Sequence, residues 1–151
     1  MMSSPRFHSV AFCLISLSAA ALLAAQASAA DSHSHSSGLI VLGDEEYHAR
    51  ASIDEPHQVF TVTLFDKSGK KSVSVPSPAI VVNLRVNGAP RQFLMKPVSM
   101  AVDPAGESSR FVLQSAELLE LLRKPGTASH FRVTIQDKSY AGKLNFSGKS
   151  P

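Results

Sequence analysis

The sequence AIVVNLRVNGAPRQFLMK, residues 79–96, decides the fold class. Its first half alternates between apolar and polar side chains, so that Ile80, Val82 and Leu84 share one face. A period of two is typical of a strand with one buried and one wet face, as antiparallel sheets provide. The Asn-Gly pair at 87–88 is the one that two-residue hairpin turns favour. This stretch therefore predicts a β-hairpin with one face in a hydrophobic core.

The same alternation recurs in four further segments of the chain. In the first of them His48, Arg50 and Ser52 are predicted to point to solvent, because successive side chains of a strand lie on opposite faces. The residues predicted to face inward are Tyr47, Ala49, Ala51 and Ile53, then Phe60, Val62 and Leu64, then Phe131, Val133 and Ile135, and finally Tyr140, Leu144 and Phe146.

Turn signals and one helical segment separate these strands. Turns are predicted at Ser68-Gly69 and at Asp137-Lys138, and the five prolines between 76 and 104 are predicted to lie in loops or at sheet edges. The segment SAELLELLRKPG breaks the alternation and predicts a short amphipathic helix over 115–124 that crosses between sheets. Ser115 is its expected N-cap.

Together these elements predict an all-β fold. About seven or eight short strands with regular turns and one crossing helix favour an antiparallel Ig-like β-sandwich over residues 39–148, with a small β-barrel as the alternative. The term Ig-like refers to architecture alone, because the Cys…Trp…Cys pattern of immunoglobulin domains is absent. We expect one domain and a monomer.

The first thirty residues predict a cleaved secretory signal peptide. Arg6 precedes the apolar run of residues 10–25, and small residues extend to Ala30. The run is shorter than the ~20 residues of a membrane span, so no transmembrane segment is expected after cleavage; a retained signal anchor is the alternative. We expect a secreted, periplasmic chain. The only cysteine, Cys13, would leave with the signal, and no disulfide could form.

Charge and motifs exclude several functional classes. The net charge of +3 includes Arg6, so the mature chain would carry +3 − 1 = +2, which is too little to indicate nucleic-acid binding. The sequence contains no G-x-S-x-G, H-E-x-x-H, phosphate-loop or dinucleotide motif. Paired carboxylates at 44–46 and 54–55 lie in polar segments between strands and are interpreted as solvated turn charges. We therefore expect no enzyme.

The order of the segments also resembles a known group of proteins. GDEEYHAR, TVTLFDKSGKK, LRVNGAPRQFLMKP, GESSRFVL, AELLELL and FRVTIQDKSYAGKLNF together are similar to small secreted bacterial domains of unassigned function. Similar segments occur beside the His-rich leaders of some heavy-metal efflux adaptor proteins. The resemblance covers about residues 38–146 and implies a β-sandwich of the cell envelope with a role in metal handling. This chain departs from the pattern in reading His-Ser-His-Ser-Ser-Gly in place of His-Gly-Gly.

Residues 31–38, DSHSHSSG, form a His/Ser-rich leader that is expected to be flexible. If cleavage follows Ala30, then Asp31, Ser32 and His33 place a free amine, two amide nitrogens and an imidazole around one ion. This is the square-planar nitrogen geometry that Cu(II) or Ni(II) prefers. Cleavage after Ala29 would move His33 to position four and remove the chelate.

Further metal ligands are predicted at His35 in the leader and at His48, toward which the leader could fold. The alternative is that the histidines are incidental to a polar spacer. The functional hypothesis is thus a non-enzymatic envelope protein that binds copper or nickel. Its rival is an envelope protein-interaction or structural module that uses a sheet face, with Val81 and Leu94 pointing outward.

Overall fold

The computed structural model describes residues 34–36 and 38–146. The predicted signal peptide, residues 31–33 and the last residues of the predicted domain, 147–148, lie outside them. Within the described residues the chain forms nine strands and one helix. In chain order these are β1 Ser34–Ser36, β2 Ile40–Leu42, β3 Tyr47–Asp54, β4 Val59–Asp66, β5 Ile80–Val86, β6 Ala89–Val98, β7 Arg110–Gln114, α1 Ala116–Arg123, β8 Ala128–Ile135 and β9 Lys138–Leu144.

All the strands belong to one antiparallel sheet. The hydrogen-bonded order is β1-β3-β4-β7-β6-β5-β8-β9, and β2 pairs with β3 beside its first residues. The predicted all-β, antiparallel fold with one short helix is confirmed. The sheet curls until β2 approaches β9 across the core, which makes the whole nearly barrel-shaped.

Strand β6 joins the two halves of this curled sheet. The first half contains β1, β2, β3, β4 and β7, and the second contains β5, β8 and β9. Its residues 89–95 pair with β5, and its residues 96–98 pair with β7. Pro90 and Pro97 lie inside β6, each where the strand is paired on one side only, so both occupy edge positions, as predicted. The unpaired side of the strand has no ladder bonds that proline would break.

The predicted alternation places the core correctly. Phe60, Val62, Phe131 and nearly all other predicted inward residues are buried. Tyr47 is the exception within its strand, since it is only half-buried at the end of β3.

Two hairpins depend on residues that accept a left-handed backbone. Asn87 and Gly88 have φ angles of +50° and +82° between the paired residues Val86 and Ala89, as the sequence predicted. The β8–β9 turn uses Gln136 and Asp137, with φ angles of +48° and +64°. This turn lies one residue earlier than the predicted Asp137-Lys138, because Lys138 already pairs with Ile135.

Helix α1 crosses from β7 in the first half of the sheet to β8 in the second, as predicted. The Ser115 Oγ accepts a hydrogen bond from the Leu118 N–H at 3.2 Å, so the predicted N-cap is confirmed. At the other end Arg123 forms an ion pair of 2.5 Å with Glu55 of the β3–β4 loop. Helix α1 buries one face in the core through Leu118, Leu119, Leu121 and Leu122.

No helix among the described residues has the length and apolar character that a membrane span needs.

The loop between β6 and β7 is organised by one carboxylate. Asp103 accepts hydrogen bonds from the Met100 N–H at 2.7 Å, from the Ser109 N–H at 3.1 Å and from the Ser74 hydroxyl at 2.8 Å. Burial alone would raise the pKa of Asp103, but these donors outweigh burial and lower the pKa from 3.8 to about 2. Ionised Asp103 therefore holds the loop against the core.

We expect Asp103→Asn to lower the free energy of unfolding by about 1–2 kcal/mol at pH 7. Because the folded pKa lies below the unfolded value, the carboxylate stabilises the protein above pH 3.8. That stability is lost as the pH falls toward about 2. Urea unfolding between pH 6 and pH 2 should therefore show the gap between the two proteins closing over that interval. A gap that stays constant would contradict this role.

Candidate metal-binding histidines

The three residues predicted to form the chelate, Asp31, Ser32 and His33, lie outside the described residues. Residues 34–36 of the leader form the short strand β1. Ser34 is paired with Asp54 and His35 with Ile53 of β3. The backbone groups at this edge of β3 bind a short strand because β2 covers only the other end of β3.

An exposed carboxylate–imidazole pair lies where β1 meets the end of β3. The Nδ1 atom of His57 is 2.9 Å from Oδ2 of Asp54, and the His57 backbone N–H donates to Oδ1 of the same carboxylate. The His57 side chain is 72% exposed, and its Nε2 has no partner among the described residues. In the sequence His57 follows Pro56 in a polar segment between strands, which by itself indicates an ordinary turn histidine. The spacing Asp-x-x-His was the signal that could have indicated the pair.

His48 lies far from the leader strand. It is paired with Val41 of β2 and with Phe65 of β4, whereas His35 lies opposite Ile53. His48 and Ile53 are five positions apart along β3, which corresponds to roughly 17 Å. The structure therefore does not bring His35 and His48 together.

The environment of His48 also differs from the expectation of a solvent-directed side chain. The residue is half-buried, and its Nδ1 is 3.3 Å from the carbonyl oxygen of Asp66. The residue lies on the outer face of β3, between the paired strands β2 and β4.

His130 belongs to the other half of the sheet, on the outer face of β8 between Asn83 of β5 and Lys143 of β9. The histidines of the described residues are thus spread over separate places. In residues 34–36 and 38–146, no group of three or more His, Cys, Asp or Glu side chains could hold a metal ion.

A second polar cluster forms where the sheet nearly closes. Glu46, in the turn before β3, accepts two hydrogen bonds from the Lys138 Nζ at 3.0 and 2.8 Å and one from the Tyr140 hydroxyl. The Lys138 bonds, followed by the Tyr140 bond, lower the pKa of Glu46, while the bond to Glu46 raises the pKa of Tyr140. The rings of Tyr47 and Tyr140 meet edge to face at 5.4 Å.

This cluster fixes the turn before β3 to β9, and its chemistry is structural. A carboxylate with a lowered pKa, surrounded by donors, is a poor general base near pH 7. Glu46 is an exposed turn residue, as the sequence indicated, and the structure adds its pairing with two residues of β9. Its partners are 92 and 94 positions away in the chain, which no local pattern reveals.

Comparison of this chain with protein-family models, with curated proteins and with solved structures finds no match.

Proposed function

We propose that this chain is a secreted, periplasmic, non-enzymatic β-protein that binds one Cu(II) or Ni(II) ion through its N-terminal leader. The observation that carries the proposal is the sequence Asp31-Ser32-His33 directly after a small-residue cleavage region that ends at Ala30. Its terminal amine, two deprotonated amides and imidazole supply four nitrogens to a square plane.

The register of β1 supports this proposal. Ser34, the residue that follows His33 in the chain, is paired with Asp54, whose carboxylate contacts the exposed His57. The exposed His57 imidazole would be able to supply one further nitrogen ligand to an ion held at this end of β3. The resemblance to segments beside His-rich leaders of efflux adaptor proteins supports the same role.

We expect protein that begins at Asp31 to bind one Cu(II) tightly, with the visible absorption of a square-planar nitrogen site. His33→Ala or acetylation of the terminal amine should abolish this site, since each removes one of the four ligands. Affinity should fall as the pH drops, because protons compete for the amine and the amides. Zn(II), which prefers tetrahedral ligands, should bind far more weakly. Copper titration with absorption spectroscopy measures the first three effects, and the retention of the copper spectrum in excess Zn(II) measures the fourth.

Two matched controls belong to this titration. His35→Ala should retain the tight site, because His35 lies outside the chelate. Protein that begins at Ala30 should lose it, because His33 then stands at position four. Equal copper affinity with and without His33 would show that the leader is only a spacer. Retention of the spectrum in His57→Ala would restrict the site to the leader itself.

The second candidate function is an envelope protein-interaction module. The observation that favours it is Leu94, which is 62% exposed and lies directly beside Val81 on the outer face of the sheet. Solvent-exposed apolar neighbours on a sheet face are a feature of protein-binding surfaces.

A further inference from the structure

The outer face of the strands β6, β5, β8 and β9 carries positive charge without compensation. We name it the basic face, defined by Asn83, Arg85, Gln92, His130, Arg132 and Lys143. Five of these residues alternate with more buried residues of β5, β8 and β9, and Gln92 of β6 is paired with one of the five, Asn83. The face is therefore a solvent-exposed surface on a rigid support.

The charges on this face are of one sign. Arg85, Arg132 and Lys143 are exposed, and no Asp or Glu occupies an outward position on these four strands. Within the described residues none of the three cations forms an ion pair. By contrast, Lys138 and Arg123, outside the face, are paired with carboxylates. By the strand spacing, neighbouring cations of the face lie roughly 8–14 Å apart, so one anionic segment can contact more than one of them.

A groove of 460 Å³ crosses the basic face and is lined by Asn83, Arg85, Gln92 and His130, among others. The Gln92 amide donates a hydrogen bond to Oδ1 of Asn83 at 2.9 Å, which fixes the orientation of both amides. The planar guanidinium of Arg85 can bind a carboxylate with two parallel hydrogen bonds. The groove thus combines a cation, an imidazole and amide donors, a set that suits a carboxylate.

An apolar border distinguishes this surface from a site for a free anion. Leu94 and Val81 are adjacent on the same outer face, and Val81 is paired with Arg132 on its other side. No Phe, Tyr or Trp side chain occupies an outward position on these four strands, so the large aromatic rings on which single-stranded nucleic acids stack are missing here. A protein segment that carries carboxylates next to an apolar side chain matches both the cations and the apolar border of this surface.

We propose that the basic face binds an acidic segment of a partner protein, with carboxylates at Arg85, Arg132 and Lys143 and an apolar side chain on Leu94 and Val81. This inference rests on the second candidate function and names its surface and its partner class. It does not depend on the metal site, since the basic face involves β5, β6, β8 and β9 and the leader strand pairs with β3.

The test uses a labelled peptide of five Glu-Leu repeats as the probe and measures binding by fluorescence anisotropy and by backbone NMR shifts. We expect shifts confined to β5, β6, β8 and β9. The triple variant Arg85→Gln, Arg132→Gln, Lys143→Gln should weaken binding by about tenfold, as expected when several exposed ion pairs are lost together. Added salt should weaken the wild-type complex and leave the triple variant less affected. Leu94→Ala should weaken it by several-fold.

The matched control is Lys67→Gln, Lys70→Gln, Lys71→Gln, which removes the same charge from the exposed turn after β4. It should bind the probe as the wild type does, and an equal loss in both triple variants would overturn the proposal by showing that only net charge matters. Equal binding of a Ser-Leu peptide on this face would overturn the acidic partner but keep the interaction module. If neither peptide binds, both the acidic partner and the interaction module are overturned.

Two other occupants are further outcomes of the experiment. Vesicles with anionic phosphatidylglycerol that bind at this face while the Glu-Leu peptide does not would assign the face to a lipid surface and overturn the protein partner. A concentration-dependent dimer in analytical ultracentrifugation that the basic-face triple variant abolishes would assign it to a second copy of this chain, with the same consequence.

Discussion

Replacing Phe131 by alanine is expected to lower the free energy of unfolding by about 3–5 kcal/mol, the usual range for a buried phenylalanine. Phe131 is fully buried at the middle of β8. Its ring lies over Gly142 of β9, and Leu42 of β2 borders the same place from across the core. The substitution would therefore leave a cavity where the two edges of the curled sheet meet, and the backbone of β9 could not close it without breaking its pairing with β8.

Urea unfolding followed by circular dichroism measures this loss, and Thr134→Ala provides the control on the same strand. Thr134 is exposed, so its substitution should change the stability by less than about 0.5 kcal/mol. EDTA should leave the wild-type midpoint unchanged, because a hydrophobic core holds the fold. A loss below about 1 kcal/mol for Phe131→Ala, or unfolding by EDTA, would contradict this account.

Gly142→Ala is expected to cost about 1–3 kcal/mol, the range for overfilling a packed core. A Cβ atom at this position would lie 2.3 Å from Cε1 and 2.5 Å from Cζ of Phe131, and 3.0 Å from Cδ2 of Leu42. These distances are too short for carbon atoms in contact, so the Phe131 ring would have to move. The absence of a side chain at 142 is what allows the ring to approach β9 this closely.

A double-mutant cycle with Phe131→Leu tests this cause. Leucine is smaller than the ring, so the added methyl group should cost less in the Phe131→Leu background than in the wild type. A coupling energy of at least about 1 kcal/mol is expected for residues in direct contact. Strictly additive losses would show that Gly142 acts through its backbone and not through the space it leaves to Phe131.

The strands were predictable because their signal is local. Alternation in residues 80–86 and 128–135 reports which face is buried, and Asn87-Gly88 reports a turn through its own backbone preference. The helix was predictable for the same reason, since Ser115 caps its first turn. What the sequence does not encode locally is the partner of each strand. The division of β6 between β5 and β7 therefore had no counterpart in the pattern.

The candidate site was predictable only in part. A terminal chelate depends on consecutive residues, so the chemistry of residues 31–33 can be derived from their order. The register of β1 against β3 cannot be derived from the sequence, because three residues of alternating Ser and His give no hydrophobic periodicity. The sequence therefore suggested His48 as the nearby histidine, whereas the pairing of Ser34 with Asp54 brings the leader to His57.

The shared strand β6 has a consequence for how the molecule opens. Because one unbroken strand contributes residues 89–95 to one half and residues 96–98 to the other, opening of either half disturbs the backbone pairings of the other through β6. Amide protons of β4 and of β8 should then exchange with solvent water at similar rates, through one global event instead of two partial ones. The chain should also tolerate no cut at Met95–Lys96, where β6 passes from one pairing partner to the other.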